Sequence, residues 1–542
     1  ASFVREVEPG ELIVIDAEGL RSHRFAEADP KGCLFEFVYL ARPDTAISGR
    51  SVQAVRVETG RRLAREHPVD ADLVIPVPES GRYAAIGYAQ ESGIPFAEGL
   101  VKNAYVGRTF IQPSQTIRQL GIRLKLNPLR EVIAAFPVYR SYITRAHVGD
   151  RDRELVGRAI RTAARRNPMI SRSVFEFQRR VLLDRPESLD AAAENEPEQA
   201  DFAGKFQQVT APVTAKGIED TTFYIYNRLT SLNEVGGEPD RFGASPASLH
   251  RWNEERARRY PYALSALSTH DTKRSEDVRA RINVLSEIPD AWFDAFVQWS
   301  ELNVRHRRQA EDAGVPDRNE EFLLYQTLLG AWPAEEMDDA ALEAFRDRIR
   351  AYMAKAIHEA KVHTSWQNPS EEYDAAIDQF IVAVLDRSKN APFFKSFLPF
   401  QRMISRHGRI NALSQTLLKL TMPGVPDTYQ GTEVWDFSLV DPDNRRPVDY
   451  AMRSAMLDEL SRRHEAAGDD RAGLARELSA GPADGRVKLY INWRALHARK
   501  RSPELFSIGA YRPLTASGPR AASVFAFRRS HASESAIVAI PR

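Results

Sequence analysis

The stretch Ser265-Ala266-Leu267-Ser268-Thr269-His270-Asp271-Thr272-Lys273-Arg274-Ser275-Glu276-Asp277 ends a short apolar run, residues 262–267, in a dense polar knot. The run reads as a buried strand. Behind it come a hydroxyl, an imidazole and a carboxylate, then Lys273 and Arg274. Polar groups at the end of a buried strand must each be hydrogen-bonded or solvated. Two arrangements meet that demand. In one the knot opens a helix, with Ser268 or Thr269 capping and Asp271 in the first turn. In the other it lies at the C-terminal mouth of a (β/α) barrel and takes a sugar or a phosphate.

The rest of the chain sets the frame. Its 542 residues are 43% hydrophobic and 27% charged, ordinary for a globular protein of two to four domains. A net charge of +1 gives no global pull toward nucleic acid or an anionic membrane. The single cysteine excludes an intrachain disulfide framework and any multi-cysteine metal site, and suits a reducing, cytoplasmic setting. The start, ASFVRE, carries no basic-then-apolar signal, and no run of about 18 apolar residues predicts a membrane span.

Toward the N-terminus, residues 11–16 (ELIVID), 33–40 (CLFEFVYL) and 73–78 (LVIPVP) read as strands. The last leads through Glu79-Ser80-Gly81 into a helix over 83–89, the outline of a βα turn whose free N–H groups can take an anion. Many such junctions carry Ser and Gly for geometry alone. Residues 102–111 (KNAYVGRTFI) gather Lys, Tyr, Arg and Thr around a glycine, either a phosphate clamp or a surface loop. The blocks PGELIVID, CLFEFVYLARPD, IPVPESG and GIPFAEGLVKNAYVGRTFIQPSQTIRQLGIRLKLNPL together resemble an internal slice of glutamine phosphoribosylpyrophosphate amidotransferase, over residues 1–130. The resemblance places Ser80 near that family's magnesium and diphosphate site and Cys33 at a cluster-ligand position. The acidic loop of the form VDDS-VRGTT does not follow Leu129, and one cysteine cannot hold an iron–sulfur cluster. No functional metal site is therefore expected, and Cys33 is expected to be a small buried hydrophobe.

From about residue 131 the sequence changes character without a Gly/Ser or Pro-rich spacer. Residues 151–164, 172–183, 348–361, 409–419 and 487–500 have helical spacing, with Trp493 a core residue. Residues 186–201 are acidic and alanine-rich, 469–485 read as loop, and 524–527 and 536–540 as strands. Around Lys216, Glu219 and Asp220 the residues suit a pocket wall or a Lys–carboxylate surface turn. The blocks PVTAKGIEDTTFYIYNRLTSLNEVGG (212–237), LSTHDTKRSEDVRARINVLSEIP (267–289), HTSW with NP (363–369), MPGVPDTYQGTE (422–433) and DPDNRRPVDY (441–450) resemble maltooligosyl trehalose synthase.

That family belongs to the α-amylase clan. The resemblance implies an α/β chain: a partial (β/α)8 barrel with helical insertions and a small C-terminal β domain, preceded by an α/β phosphoribosyltransferase fragment. It divides the chain into residues 1–130 (amidotransferase-like fragment), 131–205 (helical subdomain), 206–465 (partial catalytic barrel) and 466–542 (helix and β domain). Arg542 falls a few residues short of that domain's expected end.

The implied reaction is intramolecular transglycosylation. It converts the reducing-end α-1,4 linkage of a maltooligosaccharide to an α,α-1,1 linkage, with no cofactor. Asp271 matches the clan's third aspartate, which stabilises the transition state. His270 matches the imidazole that hydrogen-bonds the sugar. Lys273, Arg274 and Lys216 match substrate contacts, and Glu433 and Tyr429 match supporting positions. Double displacement needs two further carboxylates about 5 Å apart. The motifs that carry them, of the form R-I-D-H and V-E-K-I-L, do not occur in this sequence. Asp44, Asp70, Asp72 and Glu79 stand in no matching context.

Three functions follow as expectations: a synthase inactive in this chain, a glucan-binding remnant without catalysis, or an amidophosphoribosyltransferase read from the first 130 residues. The expected partner is a maltooligosaccharide or glucan, with no nucleic acid, membrane or protein partner implied. A barrel without its first strands also predicts exposed sheet edges and aggregation.

Overall fold

The structure, a computed structural model, describes residues 7–29, 32–47, 49–77, 81–97, 128–145, 147–168, 170, 172–183, 196–310, 313–481 and 484–542. Ser80, the 102–111 loop and much of the acidic 186–201 segment lie outside them. The chain divides into two compact units, Ala1–Thr214 and Ala215–Arg542.

In the first unit, Glu11–Asp16 and Gly19–Arg24 form an antiparallel hairpin. Ile15 (76% exposed) and Leu20 (64%) stay in solvent, so the hairpin is a two-stranded ribbon without a packed face. The strand expected over 33–40 is instead a short π-helix, Glu36–Leu40. No described strand runs beside it, and its backbone turns inward, with Ala41 N–H donating to the Glu36 carbonyl (3.0 Å). Cys33 is exposed there, which corrects its expected burial. The 73–78 strand shrinks to one parallel bridge, Val74 to Phe96. Pro76 has no N–H to extend it.

The helices Val52–Glu66 and Arg82–Ser92 pack together. Their crossing needs glycine: a Cβ on Gly60 would sit 1.8 Å from the Ala84 carbonyl oxygen, and one on Gly87 1.9 Å from that of Val57. Further along, Asp150–Arg166, Arg172–Leu183 and Glu196–Thr214 pack as a bundle. Val156, Ile160 and Ala163 recur at helical spacing and meet Phe175, Leu182 and Phe206 in its core. Gln207 clamps the bundle by taking the Ile143 N–H (2.7 Å) and donating to the Ile143 carbonyl (3.0 Å).

The second unit is organised around the helix Glu276–Asn283, which runs against Arg318–Ala331 and the long Ala391–Thr421. Close approach again depends on glycine, since a Cβ at Gly408 would lie 2.6 Å from Arg281 Cγ. Beside it Trp292, Trp299, Tyr325, Phe393 and Phe397 make an aromatic core, with Trp299 fully buried. Arg281 is buried in the same layer, donating to the Gly330 (3.0 Å) and Trp332 (2.5 Å) carbonyls. Burial brings its pKa down to about 9.

The expected helices are present and longer: Asp339–Ala360, Ala391–Thr421 and Arg486–Arg501. The loop expected over 469–485 contains a helix, Arg471–Ala480, capped by Asp470, whose Oδ1 accepts the Gly473 N–H (2.9 Å). At the C-terminus Val524–His531 is the central strand of an antiparallel sheet, between Ala510–Leu514 and Glu534–Pro541.

The buried strand expected over 262–267 is only Leu264–Ser265, and Leu264 is 73% exposed. It pairs in parallel with Val425–Pro426, and Pro426 cannot donate to a longer ladder. The architecture is thus mixed helix and strand, and helices dominate this unit. No helix among the described residues is long and apolar enough to cross a membrane.

Candidate functional site

The polar knot is a tight turn, not the first turn of a helix. Thr272 N–H and Oγ1 both donate to the Thr269 carbonyl (3.3 and 2.7 Å), and Asp271 N–H donates to Thr269 Oγ1 (3.3 Å). The helix begins only at Glu276, so Glu276 and Asp277 occupy its acidic first turn and Asp271 does not. Ser268 does act as a cap, at a distance: its Oγ accepts the Glu276 N–H (2.9 Å).

Two side chains from elsewhere hold the turn. Glu234 is buried and accepts the Lys273 N–H at Oε1 (2.8 Å) and the Arg274 N–H at Oε2 (3.2 Å). Asn444 Nδ2 donates to the His270 carbonyl (2.8 Å). The two charge-assisted bonds to the Glu234 carboxylate are stronger than neutral ones and fix the backbone. The His270 and Asp271 side chains are left projecting, 59% and 69% exposed, with Nε2 and Oδ1 3.4 Å apart.

Lys273 turns the other way. Its Nζ is buried against Asp220 Oδ1 (2.7 Å), while Lys216 Nζ reaches Asp220 Oδ2 (2.5 Å). Lys216 and Asp220 stand four residues apart on a π-helix, Ala215–Thr222, a rare winding that recurs at functional sites. The Lys–carboxylate turn legible in this segment is therefore present, with a second lysine closing it. Hydrogen bonding to Asp220 raises the Lys216 pKa.

Burial pushes the Asp220 carboxyl up, but hydrogen bonds from Lys216 and Lys273 outweigh it and hold the group below its ordinary 3.8. A carboxylate with a folded pKa below its unfolded one adds stability above the unfolded value, and loses it as pH falls through the folded value. Between pH 6 and pH 3 the melting temperature of the wild type should therefore fall more steeply than that of Asp220→Asn. Parallel melting profiles would refute a structural role for this ion cluster.

Arg274 lies in the interior, only 1% exposed. Its Nη2 donates to the Tyr352 hydroxyl (2.7 Å) and its Nη1 to the Thr230 carbonyl (3.3 Å). Glu433 pairs with Arg453 (3.2 Å) and Tyr429 donates to the Asn444 carbonyl (3.1 Å). Cys33 belongs to the other unit, and Ser80 lies outside the described residues. Sequence reasoning missed Glu234, although the NEVGG segment was in view, and missed Asn444. Both act on the turn from far along the chain.

The structure thus presents an exposed carboxylate and an exposed imidazole on a turn that Lys273 and Asp220 tie to the Lys216 ammonium. These groups can hydrogen-bond a polyhydroxylated ligand. Among the described residues, further concavities lie elsewhere in the unit. One of about 450 Å³ is lined by Trp435, Asn444, Arg446 and Arg453 among others. An apolar one of about 360 Å³ includes Tyr226, Leu232, Phe242 and Trp292. Neither lining includes Asp271.

Asp317, Glu320 and His363 come close enough to suggest a cation, with ligand atoms within 4.8 Å of one another. Those atoms are already in use. Asp317 and Glu320 form the capping box of helix Arg318–Ala331, His363 Nε2 bonds Asp317 (3.1 Å), and the Tyr373 hydroxyl donates to Glu320 (2.5 Å).

Comparison with known proteins finds two parts of the chain similar to two different enzymes. Part of it, 340 residues or 63% of the chain, is 41% identical to a putative maltooligosyl trehalose synthase of Mycobacterium tuberculosis, covering 39% of that protein. Another 133 residues, 24% of the chain, are 77% identical to the amidophosphoribosyltransferase of Mycobacterium bovis, covering 25% of it. The solved maltooligosyltrehalose synthase of Arthrobacter ramosus aligns over 90% of this chain and 54% of its own, at a TM-score of 0.61 and 31% identity. No family model matches. The chain therefore joins parts similar to two different enzymes and spans well under half of either curated relative.

Proposed function

We propose that the region from about residue 131 onward is a portion of a maltooligosyl trehalose synthase, built on part of an α-amylase-type (β/α)8 barrel. Its ligand is a maltooligosaccharide or related α-1,4-glucan, and the 542-residue polypeptide binds this ligand without converting it. The observation that carries the reading is the exposed Asp271–His270 pair, fixed on its turn by Glu234 and Asn444 within sequence similar to such synthases.

In the reaction, Asp271 would stabilise the oxocarbenium-like transition state and His270 would hydrogen-bond the sugar at the reacting subsite. Lys216 is the solvent-facing cation of the group, 76% exposed, and contacts hydroxyls directly. Lys273 acts by holding Asp220, and Arg274 by anchoring the turn to Tyr352 and Thr230. Turnover needs a nucleophile and an acid/base on either side of the anomeric carbon. The motifs that carry them do not occur in this sequence, and 133 residues of the chain are similar to an amidophosphoribosyltransferase instead. The phosphoribosyl-transfer reading lacks its acidic loop, and no step is assigned to it. An iron–sulfur cluster does not fit a chain with one cysteine.

Affinity electrophoresis through a gel containing soluble starch tests binding. The purified chain should be retarded relative to a starch-free gel, and Asp271→Ala should run closer to the unretarded position. Equal mobility of the wild type in both gels would refute glucan binding.

A further inference from the structure

We infer that Trp366 is a stacking platform for a glucosyl unit, forming a subsite continuous with the Asp271 turn. The inference rests on the glucan reading and adds to it a place and a contact type. Trp366 is 60% exposed, yet its ring is not loose. Its inner face stacks on the His358 imidazole, with centroids 4.5 Å apart and planes at 18°. Its Nε1–H is tied to Glu359 Oε1 (3.2 Å).

The support beneath is itself fixed. His358 is buried, with Nδ1 against the Ala354 carbonyl (2.6 Å) and Nε2 against Asp374 Oδ2 (3.0 Å). The turn that carries Trp366 is closed in both directions by Ser365 and Asn368 (3.2 Å each). The result is an indole held flat, with one face on protein and the other in water. A large aromatic immobilised in this way loses little entropy when it binds, as preorganised binding surfaces do.

Position supplies the ligand. Lys361 Nζ donates to Thr221 Oγ1 (2.8 Å), joining the segment before Trp366 to the π-helix of Lys216 and Asp220. That π-helix is in turn tied to the Asp271 turn, because Asp220 pairs with both Lys216 (2.5 Å) and Lys273 (2.7 Å). A chain of direct contacts therefore runs from the platform through Lys361, Thr221 and Asp220 to the Asp271 turn. A glucopyranose ring offers an apolar C–H face to an indole and a rim of hydroxyls to flanking charged groups. The C–H face stacks on Trp366, and Glu359 and Lys216 take the hydroxyls.

Titration of the full-length chain with maltoheptaose, followed by calorimetry and by tryptophan fluorescence, tests this. Trp366→Ala should bind roughly 2- to 10-fold more weakly, the range expected for losing one aromatic contact. Trp366→Phe should recover most of the affinity. The fluorescence change on binding should be present in the wild type and lost in Trp366→Phe, a readout that altered stability alone does not reproduce. Wild-type binding with undiminished affinity in Trp366→Ala, or with the fluorescence change intact in Trp366→Phe, would overturn the platform and leave the glucan reading standing. No binding by the wild type would overturn both.

Discussion

Replacing Lys488 with Met should destabilise the second unit by about 3–5 kcal/mol, the cost of leaving buried charge without its partner. Lys488 is fully buried on the helix Arg486–Arg501, with Nζ 2.8 Å from Glu276 Oε1 and 2.8 Å from Asp277 Oδ2. Those two acids begin the helix that follows the Asp271 turn. Met keeps most of the side-chain volume, so the variant isolates the charge. Burial drives the Asp277 pKa up to about 6 even with the lysine in place, and Glu276 beside it adds to the rise.

The sign of the pH dependence follows. A carboxyl with a folded pKa above its unfolded 3.8 is disfavoured as the anion in the fold, so its contribution to stability falls as pH rises from about 3.8 through about 6. Without Lys488 that penalty grows, and the deficit of Lys488→Met should widen as pH increases over this range. Urea unfolding at pH 5 and pH 7.5 measures it. The triple variant Glu276→Gln, Asp277→Asn, Lys488→Met should recover most of the loss, because no charge then remains buried. A pH-independent deficit that the triple variant fails to repair would show that packing, not charge, is the cause.

This triad also shows where sequence reasoning stops. Glu276 and Asp277 sit in the quoted stretch, but their counter-ion lies 211 residues after Asp277, and nothing local to Lys488 marks it. Helices were legible where one face repeats, as with Val156, Ile160 and Ala163. The Arg471–Ala480 helix was hidden by Gly468, Gly473 and Gly481 around it. Residues 33–40 have strand composition, yet the structure winds residues 36–40 into a π-helix, because a strand is made by its neighbours as much as by its own residues. At the site, Asp271 and His270 could be found by motif. Their support could not, since Glu234 and Asn444 reach the turn only through the fold.

The second large effect concerns chemistry. Retaining transfer at an anomeric carbon needs a nucleophile and an acid/base about 5 Å apart, with a third carboxylate supporting the charge that develops between them. In the quoted stretch only Asp271 stands free for such work: Glu276 and Asp277 are buried against Lys488. The carboxylates matched to the other two roles are not found by motif anywhere in the chain. Losing the components of a catalytic constellation costs many orders of magnitude, commonly more than 10⁴-fold. Binding and conversion should thus separate in this polypeptide.

The most direct test incubates the purified 542-residue chain with maltopentaose and follows the loss of reducing ends together with the appearance of a non-reducing oligosaccharide. Glucan retention with no conversion above a mock preparation is the predicted result. Formation of a non-reducing product by the chain, abolished in Asp271→Asn, would contradict it.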